Sequence, residues 1–551
     1  MDNRVEEIQQ YIGNIDFVSI DTPFTVDDEL IIKGQVVVTV NDEISLSFTV
    51  TILPEYPLKR YNTETITFSN PDLITYGHVM EKGSICIHTS HCVDLQRKLL
   101  IDFNSLRRWI KEYFIEGKKD TNYEHLILQP EKFKGRHYAY FFTEVDYQFQ
   151  GCEYGFFEYI PIQSGKYYDA PVHNYVVQSF FSKNNKKLVE CQWSDGVKNL
   201  SHKNKNSGLF IFINNPPATH GKFAFKNWEE LETYVSKPFI KFLSEGQNAN
   251  RKIAGNIIPL LVGYRITETE IHWQSILMEI GKFPIATEKV NQQWQGYFLD
   301  APINWGITKN CSYQYFFGRG RMDDKITKGK VLIIGVGAIG SMIATTLTRG
   351  GCKIIDMIDY DVKEPENVCR SEYRFNAGIN NKVDELRQTL ISISPFINTG
   401  TINADFFNLY AKVMLKNHEA SIDFKKALLQ YDVIFDCSTD NDLMFVLDEL
   451  QLDNLITLSI TNKARAVACA TEPKSYSWMI NQFEQVLEND TEDLYNPTGC
   501  WSPTFKASYN DINTLIQHAI KHINLKFSQG LPLRNFVLDA QEDFIIKLKE
   551  F

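Results

Sequence analysis

A short apolar run that opens onto three spaced glycines constrains this chain more than any other feature. Val331-Leu332-Ile333-Ile334 has the length of a buried strand, and Gly335-Val336-Gly337-Ala338-Ile339-Gly340 follows directly. Glycines at this spacing let the backbone turn from strand to helix. They also let it approach phosphate oxygens, which the N-terminal amides of the helix then bind. Lys353 to Ile358 supplies the next strand, and Asp359 stands at its end, where a carboxylate can accept from a ribose hydroxyl. From Lys330 onward the chain is therefore expected to be α/β, built on a βαβ unit. The uncharged run Val331 to Thr348 approaches the length of a membrane span, but its glycines divide it into strand, turn and helix. Alone, this loop suits a nicotinamide dinucleotide as well as ATP.

The 551 residues leave room for roughly three or four domains of about 150 residues each. A net charge of -11 argues against nucleic acid as a partner, because its binders carry a basic excess. The clusters Lys183 to Lys187 and Lys203 to Lys205 lie among Asn and Ser, as solvated loops do. Ten cysteines are scattered without a C-x-x-C pair, which speaks against a structural zinc site or a disulfide framework. The opening stretch Met1 to Glu7 lacks the apolar core of a secretory signal. The expectation is a cytoplasmic chain with reduced thiols and no membrane partner.

The N-terminal segment opens with an expected helix over Arg4 to Tyr11. Leu30, Ile32, Val36, Val38 and Val40 then recur at even spacing, as do Ile44, Leu46, Phe48, Val50 and Ile52. Period two predicts half-buried strands of a meander. Pro54-Glu55-Tyr56-Pro57 breaks the second run, and Glu64 to Phe68 predicts a further strand. Ser69 to Lys98 is irregular. A helix is expected over Asn104 to Phe114, with Leu106, Trp109, Ile110 and Tyr113 on one face. From about residue 121 to 310 the chain is aromatic and β-rich, as in Tyr138 to Phe142 and Leu209 to Ile213, and carries no catalytic motif.

Residues beyond the glycine loop separate the two nucleotide readings. Asp359-Tyr360-Asp361 leads to Glu366-Asn367-Val368-Cys369-Arg370 and then Lys382. Asp436-Cys437-Ser438-Thr439-Asp440-Asn441 follows the strand Val433 to Phe435. This order resembles the ThiF/MoeB and ubiquitin-activating enzyme superfamily, which adenylates carboxylates with ATP. Attack of a carboxylate on the α-phosphate brings two anions together, so cations must neutralise the reacting centre and the leaving pyrophosphate. The resemblance gives that task to Arg370 and Lys382. It gives the phosphate cradle to Gly335, Gly337 and Gly340, the ribose to Asp359 and phosphate placement to Asn367. It also gives Mg²⁺ to Asp440. The superfamily often adds an arginine ahead of the first strand, sometimes from a dimer partner. Arg319 and Arg321 are both candidates.

Members that form a thioester need a cysteine after this core. Cys469 lies in an apolar strand, where cysteine serves as a small hydrophobe. Cys500 lies in Asn496-Pro497-Thr498-Gly499-Cys500-Trp501, a loop with the access a nucleophile requires. In the N-terminal segment, the Tyr56-Pro57 turn, the strand and Gly83-Ser84-Ile85-Cys86-Ile87 resemble ubiquitin-conjugating enzymes, with Cys86 as the acyl carrier. Where that family places the asparagine of His-Pro-Asn, this chain has His78. It is a candidate donor or base, and equally a loop-structuring residue. His88 and His91 are expected to be solvated, and Cys92 lacks the motif context.

The whole chain resembles bacterial fusions of a conjugating-type domain (residues 1–120), a linker domain (121–310) and an activating-type domain (311–551) from CBASS anti-phage operons. The fold class implied is multidomain α/β and α+β. It comprises an N-terminal conjugating-like α+β domain, a β-rich linker and a C-terminal ThiF-type Rossmann-like adenylation domain. The resemblance implies a relay in which ATP adenylates a partner's C-terminal carboxylate, Cys500 takes the acyl group, and Cys86 passes it to a lysine. The implied partner is the tail of a cGAS/DncV-like nucleotidyltransferase or another ubiquitin-like protein, and a homodimer is expected. The alternatives are a sulfur-carrier adenylyltransferase with an accessory N-terminal domain, which the missing C-x-x-C pairs weaken, and a nicotinamide-dependent oxidoreductase.

Overall fold

Strict alternation of apolar and polar residues makes a strand one-faced, and the N-terminal strands are used in that way. The computed structural model describes residues 2–41, 43–118, 126–200, 205–249, 255–268, 270–290, 293–401, 418–471, 475–487, 507–540 and 545–551. Two units emerge. The first joins residues 1–133, 149–154 and 210–306, and the second joins 134–148, 155–209 and 307–551.

In the first unit, strands Val18–Val26, Ile32–Asn41, Ile44–Ile52 and Ile66–Ser69 form an antiparallel sheet in chain order. Its inner face carries Val36, Val38, Phe48, Val50 and Phe68. These pack with Ile8 and Ile12 of helix Asp2–Gly13 and with Leu99, Phe103 and Leu106 of helix Leu95–Trp109. Leu30 departs from the expected run. It holds a left-handed φ of 63° and is exposed, so the strand begins at Ile32.

The long helix also begins earlier than Asn104. Asp94 caps it, its carboxylate accepting from the Arg97 amide at 2.7 Å. Polar Lys98 and Asp102 interrupt the apolar face, yet both are buried. The Lys98 ammonium lies 3.1 Å from Glu64 and 2.5 Å from Asp102. Tyr56 donates to Asp102 at 2.9 Å, and Thr89 donates to it at 2.7 Å. Removing one partner of such a buried cluster leaves an uncompensated charge. Lys98→Met is therefore expected to destabilise this unit by about 3–5 kcal/mol, measurable by urea unfolding. The helix runs on into a wider turn at Ile110–Ile115.

Later segments of the first unit are hairpins. Ile257–Arg265 pairs antiparallel with Ile271–Glu279, and Ala218–Thr219 with Phe223–Ala224.

In the second unit, the expected βαβ unit is present. Strand Lys330–Ile334 leads into helix Ala338–Arg349 and strand Ile354–Ile358. Five parallel strands run in the order Asn398–Thr401, Ile354–Ile358, Lys330–Ile334, Val433–Asp436 and Leu455–Ile460. Three antiparallel strands, Ala466–Ala470, Phe536–Ala540 and Ile546–Glu550, extend the sheet. Alternate residues of the central strands serve opposite faces. Val331 and Ile333 pack with Ile343, Leu386 and Ile516, whereas Leu332 and Ile334 pack with Leu428, Leu443 and Leu447. A sheet covered on both faces explains why these strands are continuous apolar runs. Elsewhere in this unit, His137–Phe142 pairs in parallel with Ala170–Ser182 and with Ile307–Asn310.

Candidate functional site

Chain order reverses about strand Lys330–Ile334: the next strand lies on one side and Val433–Asp436 on the other. Ligand crevices of open α/β sheets form at such a switch point, outside the carboxyl ends of the strands. A cleft of about 400 Å³ lies there, lined by Gly335, Gly337, Ala338, Asp359, Tyr360, Asp361, Arg370, Lys382, Ser438, Thr439 and Asp440 among others.

The glycines of the loop differ in what they allow. Gly335 has φ 78°, and a Cβ there would stand 2.6 Å from the Ser438 backbone. A Cβ on Gly340 would lie 2.0 Å from the Gly335 carbonyl, so this residue lets helix and loop close on each other. Gly337 caps the helix without a side-chain hydrogen bond, and a Cβ there would meet nothing within 4 Å. The helix N-terminus therefore stays open to an anion. Gly335→Ala is expected to destabilise the second unit by more than about 1 kcal/mol, because its conformation excludes a side chain. Thermal melting should show the lower midpoint.

Asp359 braces this loop. Its two carboxylate oxygens accept from the Val336 amide at 2.8 Å and the Asp361 amide at 2.9 Å. Burial raises its pKa, and the two amides only partly offset that. Tyr373, which sequence reasoning missed, is buried and donates its hydroxyl to the Val336 carbonyl. An aromatic residue between Arg370 and Lys382 was the available signal.

Lys382 opens helix Lys382–Ile393 and forms an ion pair with Asp361. Burial pushes the Asp361 carboxyl up, but the Lys382 hydrogen bond, the Val362 amide and the Lys382 charge together outweigh it and leave the pKa lowered. Asp440 caps helix Asn441–Glu449, one oxygen accepting from the Asp442 amide at 2.9 Å and the Leu443 amide at 3.0 Å. With the hydroxyl-bearing Ser438 and Thr439 it offers hard oxygen donors to the cleft, which fits Mg²⁺ shared with phosphate.

Beneath Asp440 sits Asp436, fully buried, accepting from the Ser438 hydroxyl at 2.7 Å. Burial pushes its pKa up to about 6, with the Asp440 charge adding to the shift against the Ser438 bonds. A carboxyl with a folded pKa above its unfolded value favours folding while protonated. Its contribution to stability is accordingly lost as pH rises from about 4 to about 6. Chemical denaturation of the ligand-free protein across that window should show the decline, and Asp436→Asn should flatten it.

Other expected residues fall elsewhere. Asn367 does not line the cleft; its side-chain oxygen accepts from the Glu364 amide at 2.9 Å and closes the short helix Pro365–Arg370. Arg321 pairs with Asp324 at 3.0 Å and approaches Gly351, past the far end of the loop helix from Gly337. Neither Arg319 nor Arg321 lines the cleft. Cys469 is fully buried and its thiol is pushed far up by burial, as is that of Cys437 beside the loop. Cys500 lies outside the described residues.

In the first unit, Cys86 follows a small hairpin in which Val79 bridges Ile85. Its amide donates to the His78 carbonyl at 2.7 Å, and its Sγ lies 3.7 Å from Nε2 of His88. His78 holds φ 57° and sets its ring edge-on to Tyr113 at 4.7 Å. The structure thus brings His78, Cys86 and His88 together. His88 is exposed, as expected of a solvated residue, and its Nε2 nonetheless lies beside the sulfur.

Comparison with known proteins bears on the cleft. Residues 312–463 match the ThiF family. The C-terminal region therefore carries a ThiF-family domain of Rossmann type. The chain is similar to the ATP-dependent ubiquitin transferase-like protein Cap2 of Enterobacter hormaechei. The two are 28% identical over 237 residues, 41% of this chain and 38% of that one. It is 38% identical over 72 residues to ubiquitin-like modifier-activating enzyme 5 of Caenorhabditis elegans, covering 13% of this chain and 17% of the relative. Molybdopterin-synthase adenylyltransferase of Haemophilus influenzae is 29% identical over 119 residues, 21% of this chain and 43% of that protein. The chain thus spans less than half the length of the curated relatives it matches. Among the described residues, no helix is long and apolar enough to cross a membrane.

Proposed function

We propose that the Gly335 cleft uses ATP to adenylate the C-terminal carboxylate of a partner protein, as a ubiquitin-like activating enzyme does. The observation that carries this reading is that Lys382, Arg370 and Asp440 converge on the glycine loop in one cleft. Two cations and a carboxylate gathered there match what adenylation requires, charge to balance the reacting α-phosphate and the leaving pyrophosphate and an oxygen donor for a divalent cation.

In this reading the phosphates lie against the open N-terminus of helix Ala338–Arg349. Asp359 accepts from the ribose while bracing the loop. Asp361 holds the Lys382 ammonium in place until the phosphates arrive. Arg370 and Lys382 then balance the charge that develops as the partner's carboxylate attacks and pyrophosphate leaves. Mg²⁺ bound at Asp440 would supply further charge neutralisation on the phosphates. Asn367 acts through the short helix carrying Arg370, given its capping bond. An arginine at 319 or 321 would serve the cleft of a second protomer, consistent with the placement of Arg321 and with a homodimer.

The acyl group then passes to Cys500 and on to Cys86, which hands it to a lysine amine. Each step exchanges one activated acyl bond for another and releases the previous carrier, so one ATP suffices. The meander, flanking helices and Cys86 hairpin support a conjugating-type role for residues 1–120. The similarity to an ATP-dependent ubiquitin transferase-like protein supports the activating role; a fusion of the CBASS kind, with a nucleotidyltransferase tail as substrate, is what the sequence resemblance implies. ATP–pyrophosphate exchange with candidate tails tests the reading. Exchange with no adduct on Cys86 would instead favour a sulfur-carrier adenylyltransferase. Exchange with no tail, alongside tight dinucleotide binding, would sink both.

A further inference from the structure

The middle segment has no catalytic motif, yet two of its lysines grip the hairpin that precedes Cys86. The hairpin Ala218–Thr219/Phe223–Ala224 turns through His220 and Gly221, both at positive φ (50° and 72°). The Lys222 amide donates to the Thr219 carbonyl at 3.1 Å. Such a turn fixes its flanking residues tightly. It delivers Lys222, which is 8% exposed, so that its ammonium donates to the Tyr76 carbonyl at 2.5 Å and lies 5.1 Å from the Phe223 ring centre. Burial pulls its pKa down to about 8. Among the described residues no carboxylate pairs with it. A buried cation is costly to maintain and needs a return on that cost.

That return is visible in the carbonyls of Tyr76, Gly77 and His78. Each has its own donor: Lys222 Nζ at 2.5 Å, Trp109 Nε1 at 3.0 Å and the Cys86 amide at 2.7 Å. At the far end of the same hairpin, Lys226 pairs with Glu81. The tip is closed by Gly83, whose amide bonds the Met80 carbonyl at 2.8 Å.

We infer that Lys222, with Lys226, is a positioning residue for the Cys86 site: the middle segment clamps the 76–86 hairpin and fixes Cys86 against His78. This deepens the reading of Cys86 as an acyl carrier and rests on it. The physical claim, however, can fail separately.

The test uses the full chain as Lys222→Met, Lys222→Arg and Lys226→Glu. Two readouts are followed: hydrogen exchange of the peptide spanning residues 76–88, and the pH profile of iodoacetamide modification of Cys86 relative to Cys92. Lys222→Met should speed exchange in that peptide at least tenfold and shift the Cys86 profile but not that of Cys92. Lys222→Arg keeps a donor and should stay within twofold of the parent. Lys226→Glu, at an exposed pair, should speed exchange by a smaller factor. It decides the matter alone if Lys222→Met does not fold. Parent-like behaviour of Lys222→Met would overturn the proposal. So would loss of protection spreading equally to residues 32–52, a failed arginine rescue, or an unchanged Lys226→Glu. Neither readout requires a thioester. A clamp that holds while Cys86 never carries an acyl group would refute the carrier role and leave the clamp standing.

Discussion

Lys382→Ala is expected to lower ATP–pyrophosphate exchange by about a hundred- to a thousand-fold, the range seen when one preorganised charge at a transition state is removed. Its ion-pair partner Asp361 is more than half exposed, so breaking the pair leaves no buried charge behind and should cost little stability. The loss should therefore appear as catalysis, in kcat and kcat/KM together, with the melting temperature of the ligand-free protein nearly unchanged. Arg370→Ala should behave in the same way. Lys382→Arg should recover part of the rate, because a guanidinium keeps the charge but not the point-like geometry. A variant that lost only affinity, with kcat intact, would mean that Lys382 binds ATP without acting on the reaction.

Cys86→Ala should abolish transfer to lysine while leaving pyrophosphate exchange within about twofold, since no acyl bond can form on a methyl group. Non-reducing gels with the partner present should show a thiol-sensitive adduct on the parent chain at Cys86 and at Cys500. Cys500→Ala should remove both adducts and spare exchange. Cys92→Ala should retain both, because its Sγ donates to the Asp94 carbonyl at 3.7 Å beside the helix cap. Conjugation that survives Cys86→Ala would end the relay idea and leave the adenylation site untouched.

Much of the C-terminal α/β domain was legible because its signals are local. A buried parallel strand is a run of apolar residues, and the glycines of a tight strand-to-helix turn must follow it at once. Asp359, Arg370, Lys382 and Asp440 were singled out by order along the chain, and the fold gathers all four at one cleft. Tyr373 was missed, and Asp436 was noted without a role, for a physical reason. Each acts through a neighbour, Tyr373 on the Val336 carbonyl and Asp436 on the Ser438 hydroxyl, and such pairings leave no periodic trace. Polarity misled in the same way at Lys98 and Asp102. Charged residues are usually solvated, so their presence concealed the first turns of helix Leu95–Trp109. The middle segment was the least legible. Ile307–Asn310 pairs with His137–Phe142 across a long stretch of chain, and no local pattern announces such a partner. The grip of Lys222 on Tyr76 is hidden for the same reason.

The central claim is that the Gly335 cleft adenylates a carboxylate. It is tested most directly by pyrophosphate exchange in the full chain with a partner protein in two forms, one ending in a free carboxylate and the other in a C-terminal amide. The account predicts Mg²⁺-dependent exchange with the free carboxylate and none with the amide, and no oxidation or reduction of nicotinamide in either case. Equal exchange with both forms, or no exchange with any tail while NAD binds the cleft, would contradict it.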